Sequence, residues 1–179
     1  FLFGNGEVVK SFDIPINNDT LDELDETVNI TLSNQSPGVF LTPNASAVMT
    51  IIDNDAPPVI SIEDVSHEEG NLGTNQFSFR VSLSTASGLP ASVDYITTQG
   101  TATASSDYAT VGGTVNFAPG ETLKNVLVTV IGDLTPELNE TFTVDLSNNV
   151  NATFGDNQAL GTIVDDDNPG KFSFAFAPY

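Results

Sequence analysis

The sequence predicts an all-β protein, an antiparallel β-sandwich of Greek-key type with about seven strands, repeated in tandem. Three observations lead there. Apolar residues alternate with polar ones at a period of two, with no sustained helical period. Turn-forming residues separate the alternating runs. One long stretch of the chain recurs further along it.

The strands can be taken in order. Ile60 and Ile62 open the first, near 59–65. Phe77, Phe79, Val81 and Leu83 alternate through 76–84, and Ser87-Gly88-Leu89-Pro90 then turns the chain. A strand near 91–98 follows, and Gly112-Gly113 leads into 113–117. Beyond Ala118-Pro119-Gly120, Val126, Val128 and Val130 alternate within 122–131. Phe142, Val144 and Leu146 do so within 140–147, and the last strand lies near 159–165. Seven short alternating strands between turns are the pattern of a two-sheet sandwich.

The repeat sets the domain organisation. Residues 6–34 align without a gap to 120–148, with 11 identities in 29 positions. Thr50-Ile51-Ile52-Asp53-Asn54-Asp55 then matches Thr162-Ile163-Val164-Asp165-Asp166-Asp167. Residues 1–55 thus read as the C-terminal half of one unit, 56–58 as a joint and 59–167 as a complete unit. Residues 168–171 form a second joint, and 172–179 are the first strand of a further unit, with Phe172, Phe174 and Phe176 on its core face. Joints this short keep successive units in contact. A chain cut in this way implies an array that extends in both directions. The partial unit should supply about four strands, with exposed edges and poor stability by itself.

Composition narrows the function. The 179 residues carry 24 acidic and 4 basic side chains, a net charge of -20. Nucleic-acid binding requires a basic surface, and adsorption to an anionic membrane is disfavoured for the same reason. No apolar run approaches the roughly 20 residues that span a bilayer. Cations are the natural partners, because such charge repels itself in a compact state. The 39% of hydrophobic residues is patterned, which argues against disorder. With no cysteine there is neither a disulfide framework nor a thiolate metal site, so metal ions remain as a staple.

The carboxylates follow the unit. They fall at Glu68 and Glu69 before Gly70, at Asp107, at Asp133, Glu137 and Glu140, and at Asp165, Asp166 and Asp167. Most lie at strand ends or in turns, and sandwich loops from distant parts of the chain gather at each end. Two readings stand side by side. Acids at turns can be solvated or can cap their own backbone. Alternatively they converge on calcium, which takes six to eight hard oxygen ligands in irregular geometry. Three consecutive charges after a buried strand, recurring as Asp53-Asn54-Asp55, weigh towards the second.

A longer set of motifs carries a resemblance. Asp94-Tyr95, Gly100-Thr101-Ala102, Ser106-Asp107-Tyr108, Gly113-Thr114 and Phe117-Ala118-Pro119-Gly120-Glu121-Thr122 occur in order. Gly132-Asp133, Glu137, Asn139-Glu140-Thr141-Phe142, Leu146-Ser147 and the closing Gly161 to Asp167 complete the set. This pattern resembles the Calx-β family over all of 59–167, and half of it over 1–55. The resemblance implies an immunoglobulin-like sandwich with calcium in the loops at one end. The implied ligands are Glu69, Asp107, Asp133, Glu137, Glu140, Asp165, Asp166 and Asp167. In the partial unit Asp19, Glu23, Glu26, Asp53 and Asp55 match, while Asn54 replaces a carboxylate and the front-half ligands are lacking. Gly132 departs from the aspartate that multi-ion members carry there, which implies fewer ions or weaker binding.

Other chemistry is poorly supplied. The single histidine, His67, reads as a surface residue, since no nucleophile motif accompanies it. No glycine-rich loop precedes a helix to cradle phosphate. Paired carboxylates occur in glycosidases, but no tryptophan and only three tyrosines offer a sugar platform. Sequons such as those at Asn44, Asn139 and Asn151 arise by chance in an Asn- and Thr-rich chain. The expectation is a non-enzymatic, calcium-rigidified module of a large cell-surface or secreted adhesion, matrix or fibre protein. Its partners would be calcium, neighbouring repeats and other copies in a fibre or matrix. A regulatory calcium sensor, as in sodium–calcium exchangers, and a carbohydrate-binding module are the alternatives.

Overall fold

Each alternating strand has one apolar face to bury, and two such sheets placed face to face bury both. In the computed structural model, which describes residues 1–41, 43 and 45–167, this gives eleven strands among the described residues and no helix. The joint at 168–171, the strand expected at 172–179 and the Asn44 sequon lie outside those residues.

The complete unit holds nine of the strands. β3 (Val59–Ile62), β5 (Gly73–Leu83), β8 (Leu123–Gly132) and β10 (Thr153–Asp156) form one sheet in the order β10-β3-β5-β8. β4 (Val65–Glu68), β6 (Ala91–Gln99), β7 (Gly112–Phe117), β9 (Glu140–Val150) and β11 (Gln158–Val164) form the other, in the order β4-β11-β9-β6-β7. Between the sheets lie Phe77, Phe79 and Val81 from β5, Val126, Val128 and Val130 from β8, and Phe142, Val144 and Leu146 from β9. Phe142 is the hub: Tyr108 stacks on it at 4.5 Å, and Phe79 meets it edge-on at 5.8 Å.

The sandwich departs from the seven expected strands in two places. The first run breaks at Glu63-Asp64, so that β3 stays in one sheet while β4 crosses to the other. The short strand β10 was not expected. It pairs with β3 in parallel, as β4 does with β11, and all other pairings are antiparallel. Neither short strand could be read from alternation, because a four-residue run carries too little of it.

The partial unit forms β1 (Glu26–Thr31) and β2 (Ser46–Ile51), not four strands. Their register repeats that of the complete unit. Glu26 opposes Ile51 and Thr27 opposes Thr50, as Glu140 opposes Ile163 and Thr141 opposes Thr162. The segment aligned with β8 forms no strand here. In the complete unit β8 is an edge strand whose one partner strand is β5, which belongs to the front half. The partial unit has no counterpart of β5, so the ladder has nothing to pair with. Val8, Val9, Phe12, Leu24, Val48 and Ile52 are left exposed.

Candidate metal centre

The register of the sheets places the acids. Val164 lies opposite Glu68 in the β11–β4 pair, and Ile163 opposite Glu140 in the β11–β9 pair. Glu69, Glu140 and Asp165 therefore emerge side by side at one end of the sandwich. β8 ends at the same place, bringing Asp133, and Gly73 opposite Gly132 closes the neighbouring pair. Asp107 arrives on a loop that is fastened there. The Ile131 N–H donates to the Asp107 carbonyl at 2.8 Å, and the Tyr108 ring is wholly buried on Phe142.

Two groups of three carboxylates result, each with oxygens within 4.8 Å of one another: Glu69, Asp165 and Asp167, and Asp107, Glu137 and Glu140. The negative charge of Asp133 acts on Glu69 and Asp167 in one group and on Glu137 in the other. Glu69 is only 5% exposed, and among the described residues its carboxylate accepts no hydrogen bond. Burial, then Asp133, Glu137, Asp165 and Asp167, push its pKa up to about 7. Glu140 is also raised to about 7, first by burial and then by hydrogen-bond contact with Asp107. Glu137 and Asp167 are raised by burial and by their acidic neighbours. Asp133 is lowered, because the backbone N–H of Thr135 donates to it.

One expected ligand is turned elsewhere. Asp166 accepts from the Gly70 N–H and from Asn71 Nδ2, both at 3.0 Å, and so ties down the β4–β5 turn. It belongs to neither group of three. Glu68 is exposed on its strand, and His67 is exposed with its ring edge-on to Phe77 at 5.6 Å.

Gly132 has a steric reason. A Cβ built there would lie 1.9 Å from the Gly70 carbonyl oxygen and 2.7 Å from that of Glu69. The turn that delivers Glu69 fills the space an aspartate would need.

The partial unit gathers Asp19, Glu23, Glu26, Asp53 and Asp55 around one shallow depression. Burial and then the other four raise the pKa of Glu23. Among the described residues, the close groups of three are confined to the complete unit.

Sequence reasoning missed the amide side chains that hold these loops. Asn75 donates to the Glu69 carbonyl at 2.6 Å, and Asn139 Oδ1 accepts from the Asp165 N–H at 3.3 Å. The second had a legible signal. Asp25, which aligns with Asn139, accepts from the Asp53 N–H at 3.0 Å, so the contact recurs with the repeat.

These donors suit a hard cation. They are all oxygens, with no thiolate or imidazole among them, and one carboxylate is nearly buried with no counter-charge among the described residues. Asp167 Oδ2 is likewise buried without a hydrogen-bond partner among the described residues. Two ionised carboxylates about 4 Å apart repel by ~4 kcal/mol at a near-surface dielectric, so such a cluster calls for protons or a cation.

The comparisons with known proteins point the same way. The Calx-beta domain model matches residues 1–55 and 53–167. Adhesion G-protein coupled receptor V1 of Danio rerio is 35% identical over 97% of this chain, which corresponds to 3% of that protein. Sodium/calcium exchanger 1 of Rattus norvegicus is 41% identical over 46% of this chain and 10% of its own length. The chain therefore spans a small part of either relative. Among solved structures, the calcium binding domain CBD12 of CALX1.1 superposes with a TM-score of 0.55 at 28% identity, covering 66% of this chain and 50% of that one. The apo-form Calx CBD1 domain gives 0.51 at 27% identity, covering 61% of this chain and 99% of that one.

Proposed function

The chain belongs to the Calx-beta domain family, and from that membership we propose that its complete unit binds calcium between the loops that follow β4, β6, β8 and β11. Glu69, Asp165 and Asp167 would hold one ion, and Asp107, Glu137 and Glu140 a second, with Asp133 between them. The observation that carries the reading is Glu69, a nearly buried carboxylate facing two aspartates with no positive group to offset it among the described residues. Bound calcium would supply that charge and tie these loops together.

The wider role we infer is that of a non-catalytic repeat module in a larger cell-surface or secreted adhesion protein. The likeness to the adhesion receptor runs through both units, whereas the exchanger matches cover about half of the chain, and this favours the adhesive setting over the sensor. Calcium near the joint between units would then stiffen the array. A ligand that binds only the folded state at a hundredfold excess over its Kd adds about 2.7 kcal/mol of stability.

Calorimetric titration of calcium into the full chain, beside melting curves in chelator and in calcium, tests this. Saturable heat with a rise in Tm is expected. A millimolar Kd fits an extracellular stiffener and a micromolar one a sensor, while no heat and no shift would overturn calcium binding.

A further inference from the structure

The turn between β5 and β6 holds a buried hydroxyl whose acceptor comes from far away in the sequence. Ser87 is 2% exposed. Its Oγ donates to the Asp22 carbonyl at 3.1 Å, with Asp22 Oδ2 a further 3.4 Å contact. The Gly88 N–H donates to the same carbonyl at 3.1 Å. Next to it, the Glu23 side chain lies flat on Gly88, where a Cβ would meet Glu23 Cγ and Oε1 at 2.7 Å. The turn is prepared for this within its own unit. The Leu89 N–H donates to Ser87 Oγ at 3.0 Å, and the Gly120 N–H donates to the Ser87 carbonyl at 2.9 Å.

We propose that the Ser87–Gly88 turn is a docking receptor through which the complete unit grips the acidic loop of the unit before it. Two donors converge on one backbone carbonyl, and a glycine leaves room for the neighbouring glutamate. Two facts support a built interface rather than a chance touch. A buried hydroxyl without an acceptor is destabilising, and the acceptors of this one both belong to Asp22. Recognition through a carbonyl also suits the repeat, in which Asp22 aligns with Pro136: proline has a different side chain but keeps the acceptor. The gripped loop carries Asp19 and Glu23 and leads into Glu26 at the start of β1, so the joint is fastened to the acids of the preceding unit. Any link between that grip and calcium rests on the function proposed above, but the grip itself does not.

The chain has no cysteine, which makes cross-linking clean. In the full chain, Asp22→Cys with Ser87→Cys should form an intramolecular disulfide under mild oxidation in most molecules. A control pair, Asp22→Cys with Ser106→Cys, should remain free. In the unsubstituted chain the Gly88 amide should exchange at least about tenfold more slowly than an unstructured amide. Both measurements are made in chelator and in calcium. Cysteines that alkylate freely without an internal disulfide, together with a Gly88 amide exchanging at the unstructured rate in both conditions, would overturn the receptor even if the chain binds calcium. A disulfide that forms although titration shows no calcium heat would retain the receptor and remove the calcium reading.

Discussion

At the scale of single residues, the three consecutive aspartates divide their labour. Asp165 and Asp167 face Glu69, whereas Asp166 staples the turn that delivers it. The partial unit has Asn54 in the position of Asp166, and an asparagine oxygen can also accept from a backbone N–H. Glu69 is the residue whose change is most informative. Glu69→Gln keeps the shape and removes the charge. In chelator at pH 8 it should raise Tm, and it should weaken calcium binding by about tenfold or more, roughly 1.4 kcal/mol. Calorimetry and melting curves on the same variant read both effects, and a variant that binds calcium as tightly as the parent would remove Glu69 from the site. Gly132→Asp adds a carboxylate where the Gly70 carbonyl already stands. We expect it to destabilise the chain by about 3 kcal/mol, towards the upper end for overpacking, and to lose calcium affinity rather than gain it. Denaturant melts with a parallel titration decide the sign.

At the scale of elements, alternation placed the strands well where they were long. β5, β8 and β9 run ten or eleven residues, and their apolar faces were legible in Phe77 to Leu83, Val126 to Val130 and Phe142 to Leu146. β4 and β10 have four residues each, and their pairing follows from where the β3 edge and the end of β9 leave the chain. The failure of 9–18 to form a strand shows the limit of local pattern. Its sequence aligns with β8, but a strand exists only with a partner. Phe142, on β9 just after Glu140, packs against Phe77 and Phe79 of the opposite sheet. Phe142→Ala should cost about 3–5 kcal/mol in denaturant melts. It should also weaken calcium binding, since Tyr108, next to Asp107, stacks on that ring. Unchanged affinity would show that the Asp107 loop is held independently of the core.

At the scale of the whole molecule, the net charge is -20 and six carboxylates meet in two close groups, so stability should depend on pH and on cations together. Glu69 and Glu140 have folded-state pKa values raised to about 7 from an ordinary 4.5. Folding therefore favours their protonated forms. Their contribution is fully present below about pH 4.5 and is lost as pH rises through 7. Asp94 is lowered by its hydrogen bonds, and at Asp145 burial is outweighed by several hydrogen bonds together, so both act in the opposite sense, but only in more acidic solution. In chelator, Tm should thus fall between pH 5 and pH 8. Calcium should restore it at pH 8, with release of protons when it binds near pH 7. A cation-free Tm that rises steadily over this range would contradict the burial of these two acids.

The sequence by itself determined the class of fold, the repeat and the inventory of acids, because strand alternation and internal similarity are written in neighbouring residues. The motif pattern also carried the family resemblance to the level of candidate residues. Only the tertiary structure decided which acids meet. Asp166 and Asp167 are adjacent in sequence, yet one caps a turn and the other faces Glu69, and the difference arises from the path of the β4–β5 turn across Gly132. The grip of Ser87 on Asp22 spans 65 residues and rests on a backbone carbonyl, a group that every residue possesses and that no sequence pattern can single out.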